Sequence, residues 1–178
     1  SFPTRRSSDL TGAMDGLPLV AEDLGLLSPG VEVLRKASGL PGMSVLQFGF
    51  GGPPEGNPHF PDNITSDRVV YSGTHDNDTV VGWYAQASAE ERARVEAVFG
   101  PMDAPHVTLA EAALASPGIA AFIPVQDLLG LGAEARFNTP GNPQGNWGWR
   151  MSDLQLTTLA AMAGAWKQRL KAARRLSA

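Results

Sequence analysis

Three apolar runs in this chain end in polar or charged residues, and stretches of helical pattern separate them. "LPLVAEDLG" (17–25) leads from Leu17–Ala21 into Glu22 and Asp23. "DRVVYSGTHDND" (67–78) leads into His75, Asp76 and Asp78, and "GIAAFIPVQDLLGLG" (118–132) into Gln126 and Asp127. A fourth run, "MSVLQFGF" (43–50), is mostly apolar throughout. Short, nearly continuous apolar runs fit strands buried on both faces. Strands alternating with helices predict a parallel α/β sheet. Functional groups gathered at the C-terminal ends of such strands are the arrangement of a (β/α)8 TIM barrel, of which about four strand–helix units would be half. A doubly wound open sheet is the other architecture this pattern allows.

Local signals place the helices. Ser28 as cap and Pro29 at the first position predict a helix that stops near Ser38-Gly39. Residues 51–62 hold too many Gly and Pro for regular structure. The stretch 79–87 reads as helix, with Asp78 as its cap if residues 73–78 are a capping turn, and Ser88 caps another through Phe99, with Glu90 and Glu91 in its first turn. A loop over 100–106, a short helix over 108–115 and a turn-rich loop over 137–150 follow. A long helix over 152–176 closes the chain, with Leu154, Leu156, Leu159, Met162, Ala163 and Trp166 as its apolar side.

At 178 residues, 43% hydrophobic and 18% charged, the chain can bury the core of one domain. A net charge of −4 and no basic face argue against a nucleic-acid partner. The basic residues between Lys167 and Arg175 suit the solvated end of a helix. The absence of cysteine rules out disulfides and thiol catalysis and fits a reducing compartment such as the cytoplasm. No run of about 18 apolar residues suggests a membrane helix. The opening "SFPTRRSSDL" has no hydrophobic period and resembles the in-frame translation of a sequencing adapter. Residues 1–10 are therefore set apart as a non-native scar, and 11–178 are expected to be the C-terminal part of a longer protein.

"GTHDND" (73–78) concentrates a His, two Asp and an Asn in a few positions after a strand. It reads either as an Asx-rich turn capping the next helix, or as a site where His75 donates to a substrate hydroxyl beside the charge of Asp76. Glu22-Asp23 likewise reads as an acidic turn or as a carboxylate held for chemistry. His75, Asp76 and Asp78 lack a second His at helical spacing or any Cys, so no metal is predicted. The chain has no dinucleotide fingerprint, P-loop or nucleophile elbow, and no cofactor is predicted. Carboxylates at strand ends with aromatic loop residues suit sugar chemistry, which needs one acid and one stabilising carboxylate around an oxocarbenium-like state. Trp147, Trp149, Phe60, Asn138, Asn142 and Asn146 are candidate sugar contacts, whereas Trp83 and Trp166 suit the core.

Five stretches in order, "AEDLG", "LPGMSVLQFGF", "GTHDNDTVVGWY", "PVQDLLGLGAEARFN" and "PGNPQGNWGWR", resemble the C-terminal half of bacterial 4-α-glucanotransferases (amylomaltase, or disproportionating enzyme). The likeness spans about residues 14 to 170. These enzymes belong to the α-amylase-like clan of retaining (β/α)8 proteins, so the resemblance implies about strands five to eight of a barrel. It also implies transfer of α-1,4-glucan segments between maltodextrins or starch chains by double displacement. By resemblance, Glu22 is the general acid/base, Asp76 stabilises the transition state and His75 contacts the same sugar. Asn138, Phe60 and the 139–147 loop with Trp147 would line the glucan groove. The family's nucleophilic aspartate has no match here, and Asp15 lies in the wrong context. The resemblance therefore implies a fragment that is inactive alone. In the intact parent, Glu22 would start protonated, and Asp23 would pair with backbone amides or a cation. Hydrolysis of the same glucans, or a non-catalytic α/β carbohydrate-binding role, are the alternative readings. No motif addresses oligomeric state.

Overall fold

The computed structural model describes residues 19–25 and 29–176. Leu17 and Pro18 of the first expected strand, the expected cap Ser28 and the segment 1–10 lie outside those residues. Helix α1 (Pro29–Ala37) precedes strand β1 (Gly42–Val45), and β2 (Arg68–Tyr71) follows a long loop. Three helices, α2 (Val80–Gln86), α3 (Ala89–Phe99) and α4 (Pro105–Ala115), lead to β3 (Ala120–Phe122). Helices α5 (Val125–Leu129) and α6 (Asp153–Ala172) complete the chain. The sheet order is β1-β2-β3 with both pairs parallel. Gly42 is opposite Arg68, and Tyr71 is paired with Val45 on one side and Phe122 on the other. Parallel neighbours cannot be joined by a tight turn, so each crossover leaves the sheet and returns. Mixed α/β architecture with a parallel sheet is therefore present, as the alternation predicts.

The core forms where α2 and α4 cover the sheet. Leu46, Ile64, Val70, Val80, Leu109 and Ala113 make one buried cluster, with Trp83 and Phe99 against it. A second cluster joins Ala110 and Leu114 of α4 to Trp166 of α6. Each such Leu or Val contributes roughly 1.5–3 kcal/mol by leaving water. Trp166 belongs to the core and Trp83 packs against it, as expected.

Several expectations need correction. The run 43–50 is a strand only to Val45, and Leu46–Gly49 form a 3-10 turn. Strand alternation would place Leu46, Phe48 and Phe50 on one face. Instead Leu46 and Phe50 are fully buried, while Phe48 is 44% exposed. Leu19–Ala21 form no ladder, although the Ala21 amide donates to the Pro41 carbonyl at 2.8 Å beside the start of β1. Helix α2 is capped by Thr79, whose Oγ1 accepts from the Gly82 amide, and not by Asp78. Helix α4 begins at Pro105, three residues early, because a proline at the first position lacks only an amide that the helix would leave unbonded. Helix α6 ends at Ala172, and two of its expected apolar contacts, Leu154 and Leu156, are 77% and 55% exposed. The basic tail is not simply solvated: the Arg175 guanidinium donates to the carbonyls of Leu114, Ser116 and Gly118, fastening the end of α6 to the end of α4. The Ser88 and Ser152 caps are present as expected, the latter with a full capping box through Gln155. Among the described residues no helix is long and apolar enough to cross a membrane.

Candidate functional site

The chain leaves β2 through Ser72 and turns sharply over residues 73–78. Asn77 Oδ1 accepts from both the Thr74 amide (2.9 Å) and the Thr74 hydroxyl (2.8 Å), closing the turn from three residues further on. Gly73 permits a close approach there, since a Cβ would stand 2.5 Å from Nε2 of Gln47. Gln47, itself buried, donates that group to the Asp78 carbonyl at 2.9 Å. The turn is thus closed by its own side chains, as the structural reading expects, although its Asp78 does not cap the helix that follows, and it presents His75 and Asp76 to solvent.

Asp76 is the meeting point of distant segments. His75 Nε2 lies 3.3 Å from its Oδ1, and the Asn138 amide nitrogen donates to the same oxygen at 2.5 Å. Arg136 donates to the Asp76 carbonyl at 2.8 Å and to the Asn138 carbonyl at 2.9 Å, tying the two stretches together. Trp147 lays its ring 5.4 Å from that of His75 and meets Phe137 edge-on at 5.1 Å. Its backbone has φ +62°, a left-handed conformation uncommon for a bulky residue. Such strain costs of order 1–3 kcal/mol and persists where surrounding bonds enforce it. Here the Trp147 amide donates to the Phe137 carbonyl at 2.8 Å, and Asn146 bonds Thr139 and Asn142. Asn142 and Asn146 therefore brace the loop.

Glu22 and Asp23 face different surroundings, because adjacent side chains of an extended segment point to opposite sides. Asp23 is 3% exposed. Its Oδ1 accepts from the Met43 amide at 2.7 Å, and its Oδ2 pairs with Arg68 and, at 3.4 Å, with Arg35. It thus takes both a backbone amide and cations as partners. Asp23 stands at the starting ends of β1 and β2, away from the ends that lead to Asp76 and Asp127. Glu22 is exposed and lines two clefts whose walls share Glu22, Leu24, Thr74 and Asp76. The larger, about 1020 Å³, adds Phe48, His59, Trp83 and Arg136; the smaller, about 300 Å³, adds Met43, Tyr71 and His75.

Three of these wall residues are not among those the sequence singles out, although Tyr71 and Phe48 lie within its quoted stretches. Tyr71 stacks on Phe122 at 5.4 Å, and burial together with the nearby Glu22 charge pushes its hydroxyl pKa up. His59 accepts the Val45 amide on Nδ1 at 3.2 Å, and burial, reinforced by the charge of Arg68, holds its pKa down. Phe48 meets the His59 ring edge-on at 5.5 Å. A helical rather than strand reading of 46–50 would have turned Phe48 outward and marked it. Trp149 lines a separate hollow of about 260 Å³ with His75, Asp127 and Phe137. Phe60 stands apart, packed edge-on against Phe50 at 5.9 Å, and lines none of these hollows. Among the described residues no group of three or more His, Asp or Glu is gathered to hold a metal ion.

The structure thus brings Glu22, His75, Asp76, Asn138 and Trp147 together from separate segments. Two carboxylates and an imidazole line one open cleft, and the Asn138 amide and the Trp147 ring stand behind them against Asp76 and His75, a set that can bind a polyhydroxylated ring and move a proton at it.

A family model for 4-alpha-glucanotransferase matches residues 5–157. The chain is 47% identical over 138 residues to the chloroplastic/amyloplastic 4-alpha-glucanotransferase of Arabidopsis thaliana, covering 76% of this chain and 24% of that protein. It is 46% identical over 145 residues to the 4-alpha-glucanotransferase of Synechocystis sp., covering 80% and 28%. The chain therefore spans about a quarter of the length of these curated relatives. In three dimensions it is similar to the amylomaltase of Streptococcus agalactiae in complex with acarbose, with a TM-score of 0.80 and 28% identity over 94% of this chain and 33% of that one.

Proposed function

The chain belongs to the 4-alpha-glucanotransferase family, and on that premise we propose that in the complete protein it forms the C-terminal half of a (β/α)8 barrel that transfers α-1,4-glucan segments between chains. One observation carries this reading: Glu22 and Asp76 share the walls of one cleft, while Asp76 is held by Asn138 beside His75. Glu22 is exposed and free of the arginine cluster that claims Asp23, which leaves its carboxyl available to exchange a proton with a ligand.

In the first step, Glu22 gives its proton to the departing 4-oxygen as the glycosidic C–O bond breaks. A carboxylate from a part of the protein outside this chain takes the anomeric carbon. In the second, Glu22 removes the proton from the incoming 4-hydroxyl of another glucan as that oxygen displaces the carboxylate. Asp76 and His75 hold the hydroxyls of the reacting sugar, and Asn138 fixes the carboxylate of Asp76. Trp147 offers its exposed face as a wall for the ring, in keeping with the apolar faces of pyranoses. We place the reaction in the cytoplasm, which suits a chain without cysteine.

Hydrolysis uses the same carboxylates, so products decide between the two. The complete protein incubated with maltotriose is expected to give a ladder of longer and shorter maltodextrins. Glucose and maltose accumulating without longer products would overturn transfer in favour of hydrolysis, and no turnover would overturn both.

A further inference from the structure

The buried carboxylate of Asp127 is unused by the reaction described above. It is 1% exposed, at the first turn of α5, where the chain has just left β3. Its two oxygens go to the two ends of one loop. Oδ2 accepts the Ser72 hydroxyl at 2.7 Å, and Oδ1 accepts the Val80 amide at 2.8 Å. Ser72, fully buried, is the residue before the 73–79 segment, and Val80, also fully buried, is the first residue after it. His75 and Asp76 lie between.

From this we infer that Asp127 is a positioning residue for the glucan-transfer reaction: one buried carboxylate clamps both ends of the 73–79 loop and so fixes where His75 and Asp76 stand in the cleft. The inference rests on the function proposed above. Internal bonds give the loop its shape through Thr74 and Asn77, and Arg136 and Asn138 hold its tip. Asp127 joins both ends of that shape to the segment that follows β3. Neither oxygen faces the large cleft, so its action on substrate passes through His75 and Asp76. Burial also pushes the Asp127 carboxyl above the ordinary carboxylate range, reinforced by the charge of Asp78 and opposed by its two hydrogen bonds. A neutral side chain of the same shape can reach the same two partners. An asparagine would accept the Val80 amide on its oxygen and donate to the Ser72 hydroxyl through its nitrogen.

The test compares wild type, Asp127→Asn, Asp127→Ala and Ser72→Ala in the complete protein. Maltotriose kinetics are measured per folded molecule, and hydrogen exchange is followed over residues 72–80. Misplacing a reacting group by about 1 Å can cost 10²-fold. Asp127→Ala is expected to lower kcat by about 10²-fold with a smaller change in KM, because His75 and Asp76 act chiefly in the transition state. Exchange should quicken over 72–80 and not over α6. Asp127→Asn is expected to restore kcat to within about fivefold, and Ser72→Ala, which frees one end, to fall between. If Asp127→Ala does not fold, Ser72→Ala and Asp127→Asn still decide. A kcat within threefold of wild type in Ser72→Ala, with unchanged exchange, would overturn the clamp. So would an Asp127→Asn as impaired as Asp127→Ala, or a loss that only follows the unfolded fraction. A wild-type protein that leaves maltotriose unchanged would refute the glucan reading and with it the positioning of that reaction; exchange would then test the clamp by itself.

Discussion

Replacing Asp23 by alanine should loosen the sheet far more than replacing its neighbour Glu22. The Asp23 carboxylate is buried against Arg68, Arg35 and the Met43 amide. Arg35 keeps Glu32 at 2.9 Å, Asp67 at 2.7 Å and the Leu40 carbonyl when Asp23 is lost. Arg68 does not fare as well: among the described residues it retains only Glu32 at 3.7 Å and the Met43 carbonyl at 3.1 Å, with its side chain 8% exposed. Removing one partner of a buried pair costs about 3–5 kcal/mol, because the other charge remains buried. The orphaned Met43 amide belongs to the same penalty. At about 1.4 kcal/mol per factor of ten, native-state hydrogen exchange of β1 and β2 amides in the complete protein should quicken by roughly two to three and a half orders of magnitude. Exchange reads local opening and requires no two-state melting of a larger protein. Glu22→Gln, at an exposed position, should stay within about 0.5 kcal/mol of wild type. Exchange in Asp23→Ala within fivefold of wild type, or equal loosening by Glu22→Gln, would refute the assignment of structural weight to Asp23.

Acid should weaken the same region. The Arg35 hydrogen bond holds the pKa of Glu32 down at about 2 against an ordinary 4.5, and hydrogen bonds from Thr65 and then Arg35 hold that of Asp67 at about 2 against 3.8. Their contribution is present above the unfolded values and is lost as pH falls from about 5 towards 2. Both side chains are partly exposed, so solvent screening keeps each contribution under about 1 kcal/mol. Exchange from β1 measured across that range should show the loss, and Glu32→Gln should shrink it; a flat profile in wild type would contradict the pairing. At Trp147, glycine would relieve the positive φ but remove the wall beside His75. An aromatic contact of up to about 1.5 kcal/mol corresponds to about a tenfold rise in KM for maltotriose, measured by steady-state kinetics. An unchanged KM would remove Trp147 from the substrate wall.

What the sequence reveals here follows from how local each feature is. Pro29, Ser88 and Ser152 announce helix starts because a cap needs only its own first turn. Asp78 misleads because Thr79, one residue later, competes for the same role, and the Asp78 side chain instead accepts from the Thr79 amide and from Gln86. "MSVLQFGF" cannot show where its ladder ends, since burial of Leu46 and Phe50 makes strand and turn equally apolar in sequence. Leu156 falls on the same helical stripe as Leu159, Ala163 and Trp166 and Leu154 on the other side, yet both lie exposed among the described residues. The fold class depends on alternation alone and is legible. Motifs bring Glu22, His75 and Asp76 to attention, but Asn138 reaches Asp76 across 62 positions and Asp127 reaches Ser72 across 55. Such convergence is tertiary, and no spacing rule encodes it. The opposite facing of Glu22 and Asp23 is the intermediate case: alternation in an extended chain predicts it, yet which of the two meets the cleft depends on where Arg35 and Arg68 lie.

In the proposed reaction Glu22 moves the proton of glucan transfer. The most direct measurement sets Glu22→Gln against wild type in the complete protein with two donors. Maltotriose needs its leaving oxygen protonated, whereas α-maltosyl fluoride releases fluoride without a proton. A loss of about 10²- to 10⁴-fold is expected on maltotriose, with first-turnover fluoride release largely retained. Equal losses on both donors, or wild-type transfer from maltotriose, would contradict it.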